Sequence, residues 1–406
     1  MKVSTTSKAQ ARIDVGYLSR FNMQTYSKNN LYPQTIRDIT NESPTAIGCL
    51  NRYAEFIEGN GFESDETTDF IVSKYGDTLD DLLHNIAQDL ARYNGFALHV
   101  SYNAFCEVNS IEYVPFEQCR LAEKDDAGHV TEILVHPDWS GRSTRSGKTL
   151  KIDENSIRRY YIYNPSKEVV SKEMAKDGDA LSFRGQIAWF SRDGKYTYPK
   201  PVYDAAITDI STDAGLSNVM YRNARTSFLA ACMLVTKKGT PAIDYAPDMT
   251  DDERVNAEMF GGGSFFSGDD LDAFQGDENT GKILAVELES SEDMPEIKEF
   301  PTKNFDKDFS VTEPTITRRI HAIFNQDLFY TIQMGKLGFS GQVMKDAYEY
   351  YAGKVRNEQR FIMRGLKSIL NHFTGGFNYP LDIMPQSYIS SEKVAQEEQD
   401  AAPNNI

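Results

Sequence analysis

Residues 201 to 228 read PVYDAAITDISTDAGLSNVMYRNARTSF, and they restrict the architecture of the chain more than any other stretch. Ile207, Ile210, Ala214 and Tyr221 recur near one face at helical spacing, while Ala205, Ala206, Ser211, Thr212, Gly215 and Ser217 fill much of the remaining surface. A helix of that length spans about 42 Å. Side chains so small cannot anchor it along its whole length to one large apolar core, but they let neighbouring helices approach closely. Two packings satisfy the pattern. The partners are copies of the same helix in adjacent subunits, or the helix packs within its own domain and keeps one face polar.

The rest of the chain allows either. Its 406 residues, 40% apolar and 12% aromatic, can bury a substantial core and have room for two or three domains. No run of 18 or more apolar residues occurs, and the opening MKVSTTSKAQARIDVG lacks the apolar stretch of a signal peptide, so neither a membrane span nor secretion is expected. Cys49, Cys106, Cys119 and Cys232 lack metal-ligand spacing and read as small buried hydrophobes.

The formal charge is −17, and residues 244 to 313 hold 20 Asp and Glu against 5 Lys and Arg. A chain of this charge is unsuited to tight, salt-dependent gripping of nucleic acid, but it does not exclude a surface past which DNA slides. A solvated acidic face is the plainer reading of the same run.

Ser43 and Pro44 suit the cap and first position of a helix in which Ile47, Leu50, Tyr53, Ala54 and Ile57 recur, ended by Gly59 and Gly61. Thr78 and Asp81 form a capping pattern before Leu79, Leu82, Leu83, Ile86, Leu90 and Tyr93, with Asn94 and Gly95 at the far end. Residues 1 to 40 are polar and weakly periodic, and read as an extended or partly ordered arm. Strands are expected at 96–102, 108–114, 130–136, 158–163 and 186–191, giving a mainly antiparallel α+β body. Further strands are expected at ACMLVTK (231–237) and KILAVEL (282–288). A helix interrupted by Pro314 follows, then a loop over 327–342, then a long helix over about 343–373 whose Lys and Arg outnumber its acids. The closing EEQDAAPNNI reads as disordered.

No motif carries an enzyme. GDENTGKI (276–283) has the Gly and Lys spacing of a phosphate-binding loop. However, Ile283 stands where Ser or Thr should reach Mg²⁺, Asp277 and Glu278 would repel phosphate, and a strand follows instead of a helix. GGGSFFSG (261–268) has no adjacent basic residue, and GFSG (338–341) misses the spacing of a nucleophile elbow. The six histidines supply no metal-type pair on one helical face. No catalytic, cofactor or metal residue is therefore assigned.

In their order along the chain, three stretches resemble the portal proteins of tailed bacteriophages, and the likeness runs from about residue 30 to residue 385. They are QIAWFSRDGKYTYPKPVYDAAITDISTDAGLSNVMYRNARTSF (186–228), NTGKILAVEL (279–288) and FDKDFSVTEPTITRRIHAIFNQ (305–326) with the loop and long helix after it. The resemblance implies a portal-type α+β fold with an α/β wing, a two-helix stem, a small α/β clip, a tunnel loop, a long wing helix, and a crown that is small or absent. Its segments would be an N-terminal arm (1–29), wing (30–200), first stem helix (201–229), clip (230–303), second stem helix (304–326), tunnel loop (327–342), long wing helix (343–374) and a tail or minimal crown (375–406). The run Asn325, Gln326, Asp327, Leu328 departs from the Val-Pro-Pro type sequence that the family places after the second stem helix.

The function implied is a non-enzymatic ring of twelve at one capsid vertex of the virion, made in the host cytoplasm. It would pass double-stranded DNA without sequence specificity during packaging and ejection. Its partners would be itself, the major capsid protein, the terminase packaging motor and a head-to-tail adaptor, with no membrane and no cofactor. A ring closes only through a heterologous interface, and Ala206, Ile210, Ala214, Gly215 and Ser217 are the candidates for stem packing. Gln333, Lys336, Ser340, Gln342 and Lys345 are the candidates for weak contacts to DNA in the channel. The first rival is another structural virion component, a tail or baseplate subunit without a DNA channel, and the second is a nucleotide-driven enzyme built around Gly276 to Lys282.

Overall fold

A computed structural model describes residues 15–141, 144–145, 148–149, 152–226, 233–237, 284–288, 305–336 and 341–388. The chain divides into two units, one made of Met1–Ala214 with Pro314–Ile406, the other of Gly215–Glu313. The elements of the first, in chain order, open with β1 (Gly16–Leu18), β2 (Met23–Thr25), α1 (Tyr32–Glu42), α2 (Pro44–Glu58) and α3 (Leu79–Tyr93). Then come β3 (Gly95–Tyr102), β4 (Val108–Val114), β5 (Cys119–Leu121), β6 (Glu132–Val135), β7 (Arg158–Ile162), α4 (Lys167–Asp177) and β8 (Gln186–Ser191). Helix α5 (Ile207–Thr226) passes into the second unit, which holds β9 (Met233–Lys237) and β10 (Leu284–Leu288). Helix α6 (Phe305–Ile323) returns to the first unit, where α7 (Asp327–Gln333) and α8 (Gly341–Leu370) follow.

The first unit is α+β. Its six-stranded sheet has the order β4-β3-β8-β7-β6-β5. Every pair is antiparallel except β8 with β7, which run parallel with Gln186 opposite Tyr161. The two helices expected from local signals form as read. Ser43 accepts from the Ala46 amide at the start of α2, and Thr78 with Asp81 makes a reciprocal capping box on α3, which Asn94 ends in the left-handed conformation. Helix α8 then lies across α2 and the sheet. Phe56 meets Tyr351 edge-on at 4.8 Å, and Phe361 meets Phe96 at 5.8 Å. Gly365 permits the approach, because a Cβ there would stand 3.2 Å from both Phe190 and Phe96.

Several expectations change. Residues expected to form an arm instead contribute to the core, since Met23 and Tyr26 are fully buried and Tyr26 stacks between Tyr32 and Tyr198 at 5.2 and 4.0 Å. Helix α1 was hidden because its inward face, Tyr32, Ile36 and Thr40, includes a polar residue whose hydroxyl donates to the Ile36 carbonyl. Helix α4 was hidden because it buries only Val170 and Met174. The expected loop 327–342 begins as helix α7, whose Phe329 and Ile332 are buried. The segment after residue 375 docks on the body. Asn60 donates to the Met384 carbonyl at 3.0 Å, Met384 to Gly61 at 2.9 Å, and Glu63 to Asp382 at 2.9 Å.

In the second unit β9 and β10 pair in parallel, Met233 opposite Leu284 through Lys237 opposite Leu288. The phosphate-loop-like stretch 276–283, GGGSFFSG, most of the acidic run 244–313 and the closing EEQDAAPNNI lie outside the described residues. Among the described residues no helix is long and apolar enough to cross a membrane.

Candidate functional site

The base of α5 is held by groups drawn from distant parts of the chain. The turn before it, YTYPKPVY (196–203), supplies two buried phenols. Tyr198 donates to the Gln24 carbonyl at 2.8 Å and accepts from the Leu121 amide at 2.9 Å, while Tyr203 donates to the Arg92 carbonyl at 2.8 Å. Tyr203 also stacks on Phe324 at 5.3 Å, and burial pushes both phenols up. Ten residues further on, Asp213 is buried against the start of α2. It accepts from the Ser43 hydroxyl at 2.6 Å, the Thr45 hydroxyl at 3.2 Å and the Thr45 amide at 3.3 Å. A carboxylate at a helix N-terminus is favoured by the unpaired amides and the helix dipole. Asp209 adds an ion pair to Arg319 of α6 at 3.4 Å.

The run Asn325–Leu328 has a structural role of its own. Asn325 takes a left-handed φ of 56°, which stops α6 and turns Gln326 inward. The Gln326 amide, fully buried, donates to the Cys49 carbonyl at 2.8 Å and to the Tyr351 hydroxyl at 2.9 Å, and accepts from Arg52 at 3.2 Å. The Tyr351 hydroxyl in turn donates to the Phe324 carbonyl at 2.9 Å. Helices α2, α6 and α8 are thus joined by one polar knot with every donor of that amide used. Nearby, Arg192 pairs with buried Glu358, to which Tyr53 also donates at 3.2 Å.

The candidates for stem packing separate into two groups. Ala206, Ile210 and Ala214 are buried within the first unit, at 5%, 0% and 5% exposure, so they are covered by their own chain and are not free for a neighbour. Gly215 and Ser217, the other two candidates, are exposed, and a Cβ at Gly215 would meet nothing within 4 Å. Met220 and Tyr221 are about half exposed, at 47% and 51%.

The channel candidates are scattered too. Gln333 and Lys336 are exposed after the last buried residue of α7. Gln342 donates to Asp346 at 2.7 Å and Lys345 pairs with Glu349 at 3.9 Å, both along the first turns of α8. Ser340 lies outside the described residues. Sequence reasoning missed Asp213, Gln326 and Arg120. Arg120 is fully buried and donates to Asn30, Gln34 and the carbonyls of Glu117 and Cys119, in contacts that no local pattern announces.

Among the described residues, one open cleft is lined by Phe70, Ile71, Phe373 and Tyr379 with Asp65 and Glu66 at its rim, and a second by Glu132, Arg159, Tyr161, Asp177 and Arg184. In the second, Arg159 already donates to Glu132 and to the Phe21 carbonyl, and Tyr161 to Asp177. Among the described residues no group of three or more His, Cys, Asp or Glu is placed to hold a metal ion.

No protein-family model matches the chain, and no curated protein matches it. Among solved structures it is similar to a chain in the virion of a native gene transfer agent particle, at 11% identity and a TM-score of 0.44, over 92% of this chain and 90% of that one. It is also similar to a chain in the neck of the native particle computed with C12 symmetry, at 12% identity and a TM-score of 0.44, over 98% and 94%. A chain in the neck of the empty particle, computed with C6 symmetry, gives 11%, 0.44, 92% and 90%. Likenesses of this extent carry no argument about what the chain does.

Proposed function

We propose that the chain is the subunit of a phage-type portal, a non-enzymatic ring at one capsid vertex through which double-stranded DNA enters and leaves. The observation that carries this reading is the order of elements around α5. In chain order, an α+β body is followed by a helix that passes from the first unit to the second at Gly215, a parallel strand pair in that second unit, a helix that re-enters the first unit at Pro314, a short helix, and a 30-residue helix packed on the body. That order is the one the resemblance of residues 186–228, 279–288 and 305–326 to portal proteins implies.

In this reading the exposed part of α5, from Gly215 and Ser217 onward, packs against neighbouring subunits. The half that holds Ala206, Ile210 and Ala214 fixes the helix to its own body. Ring closure uses two different surfaces of each subunit. Residues 327–342 together with Lys345 approach the DNA, where Gln333, Lys336, Ser340 and Gln342 offer weak and replaceable contacts suited to passage. Twelve subunits, the capsid protein, the terminase motor and the tail adaptor are its partners by the same reading.

Electron micrographs of the purified protein test it. Annular particles with a central hole wide enough for duplex DNA are expected. Monomers under every assembly condition, with capsid protein present, would sink the proposal, and a virion location in the tail or baseplate would favour the rival structural reading. ATP turnover abolished by Lys282→Ala would point instead to an enzyme.

A further inference from the structure

The outer face of α8 carries a feature that the portal reading does not use. At about 100° per residue, Arg356, Arg360, Arg364 and Lys367 fall within an arc of about 80° and extend about 16 Å along the helix axis. All four are exposed, while Val355, Ile362, Leu366 and Ile369 on the other side are buried. None of the four has a carboxylate partner among the described residues. Glu358, the one acid within this stretch, points into the body and is taken by Arg192 and Tyr53. Arg364 donates along the helix to the Arg360 carbonyl at 3.3 Å. Cations repeated at i, i+4 oppose helix formation by about 0.2–0.5 kcal/mol per pair. Such a ridge stands out in a chain of net charge −17.

The chemistry of the ridge selects its partner. Protein interfaces are built around buried aromatic or aliphatic anchors. Between residues 353 and 370 this face offers Gly353, Asn357, Ser368 and a half-buried Met363 beside the cations, and no exposed large apolar side chain. Phosphate backbones need no such anchor, since Arg and Lys hold them by charge and hydrogen bonds without reading sequence. We propose that the Arg356, Arg360, Arg364 and Lys367 ridge binds the phosphate backbone of double-stranded DNA. The choice of duplex DNA over other polyphosphates rests on the portal reading. The ridge itself is a contact surface separate from residues 333–345.

The test is fluorescence anisotropy of a labelled 40-base-pair duplex of arbitrary sequence with the full-length protein, in its assembled form, over a salt series. The ridge variant R356Q/R360Q/R364Q/K367Q is compared with K124Q/R158Q/K172Q/R184Q, which removes the same charge from exposed sites elsewhere. Each phosphate contact contributes about 0.9 to the slope of log affinity against log salt. The ridge variant should therefore lose about 3 to 4 from the slope and about tenfold or more in affinity, and the control should lose much less. Where the fourfold variant fails to fold, R356Q and R360Q singly should each lower the slope by about one.

Equal losses in ridge and control variants, or an unchanged slope, would overturn the proposal. So would tighter binding of duplex RNA than of DNA, or a ridge variant that binds DNA normally but no longer assembles, which would make this face a subunit contact. Micrographs of the same preparations keep the two proposals apart. Annular particles without ridge-dependent binding remove only this inference, and ridge-dependent binding by protein that forms no annuli removes only the portal reading.

Discussion

Ala214 and Gly215 are neighbours in α5, and substitutions at the two should act in opposite directions on the protomer. Gly215 lies inside the helix with open space around the position of a Cβ, so Gly215→Ala or Gly215→Leu loses nothing in packing within its own chain. A glycine in a helix interior costs about 0.8–1.0 kcal/mol relative to alanine, and that cost is recovered in the variant. The protomer should unfold about 1–2 °C higher, a small shift because the chain is long. Ala214 is 5% exposed, and Ala214→Trp must force a large ring into filled space at a cost of about 1–3 kcal/mol or more. If Gly215 lies where helices of adjacent subunits approach, Gly215→Leu should then stabilise the protomer and impair the ring. Circular dichroism melts of dilute protein and sedimentation velocity at assembling concentrations read the two effects separately. Normal rings from Gly215→Leu would refute the neighbour packing, and a destabilised Gly215→Leu protomer would refute the open surroundings of that residue.

Asp213→Ala should lower stability by about 1–3 kcal/mol, because the Ser43 hydroxyl and the Thr45 amide lose their acceptor at the start of α2; a urea midpoint unchanged by the substitution would contradict this. Burial of Asp89, whose carboxylate oxygen accepts from Tyr113 and the Phe116 amide, pushes its carboxyl up to about 7 from an ordinary value of 3.8. The folded protein holds that proton while the unfolded chain has released it, so this contribution is complete below about pH 4 and is lost as pH rises through 7. Thermal melts at pH 5 and pH 8 should show Asp89→Asn gaining on the wild type at the higher pH, and parallel curves would disprove the linkage.

The parts of the fold that were legible in the sequence are those fixed by neighbours in the chain. Ser43 with Pro44, and Thr78 with Asp81, announce helix starts because cap and capped amide lie within three residues. The strands at 95–102 and 186–191 announce themselves because they are runs of β-formers bounded by turns. Arg120, Gln326 and Asp213 were not legible, because each has at least one partner 86 to 277 residues away, and a lone Gln or Asp reads as surface. The segment DLFYTIQ read as loop because two buried residues in a single short helix make no repeat. For the proposed site, helical spacing identified which residues of 201–228 share a face. It held no information on what each face meets, the same chain at Ile210 or open space at Gly215.

The clasp between residues 59–63 and 382–384 bears on when the molecule can fold. Asn60 and Pro385, joined by a hydrogen bond, are 325 residues apart. At about 5–20 residues per second of synthesis, roughly 16–65 s separate their emergence from the ribosome. Throughout that interval Phe56 and Phe96 lack α8, the element that covers them, and the acidic second unit is made before the body can close. The body can therefore complete its core only once α8 has emerged, and nascent chains should be captured by a general chaperone on the α2 and β3 surfaces until it does.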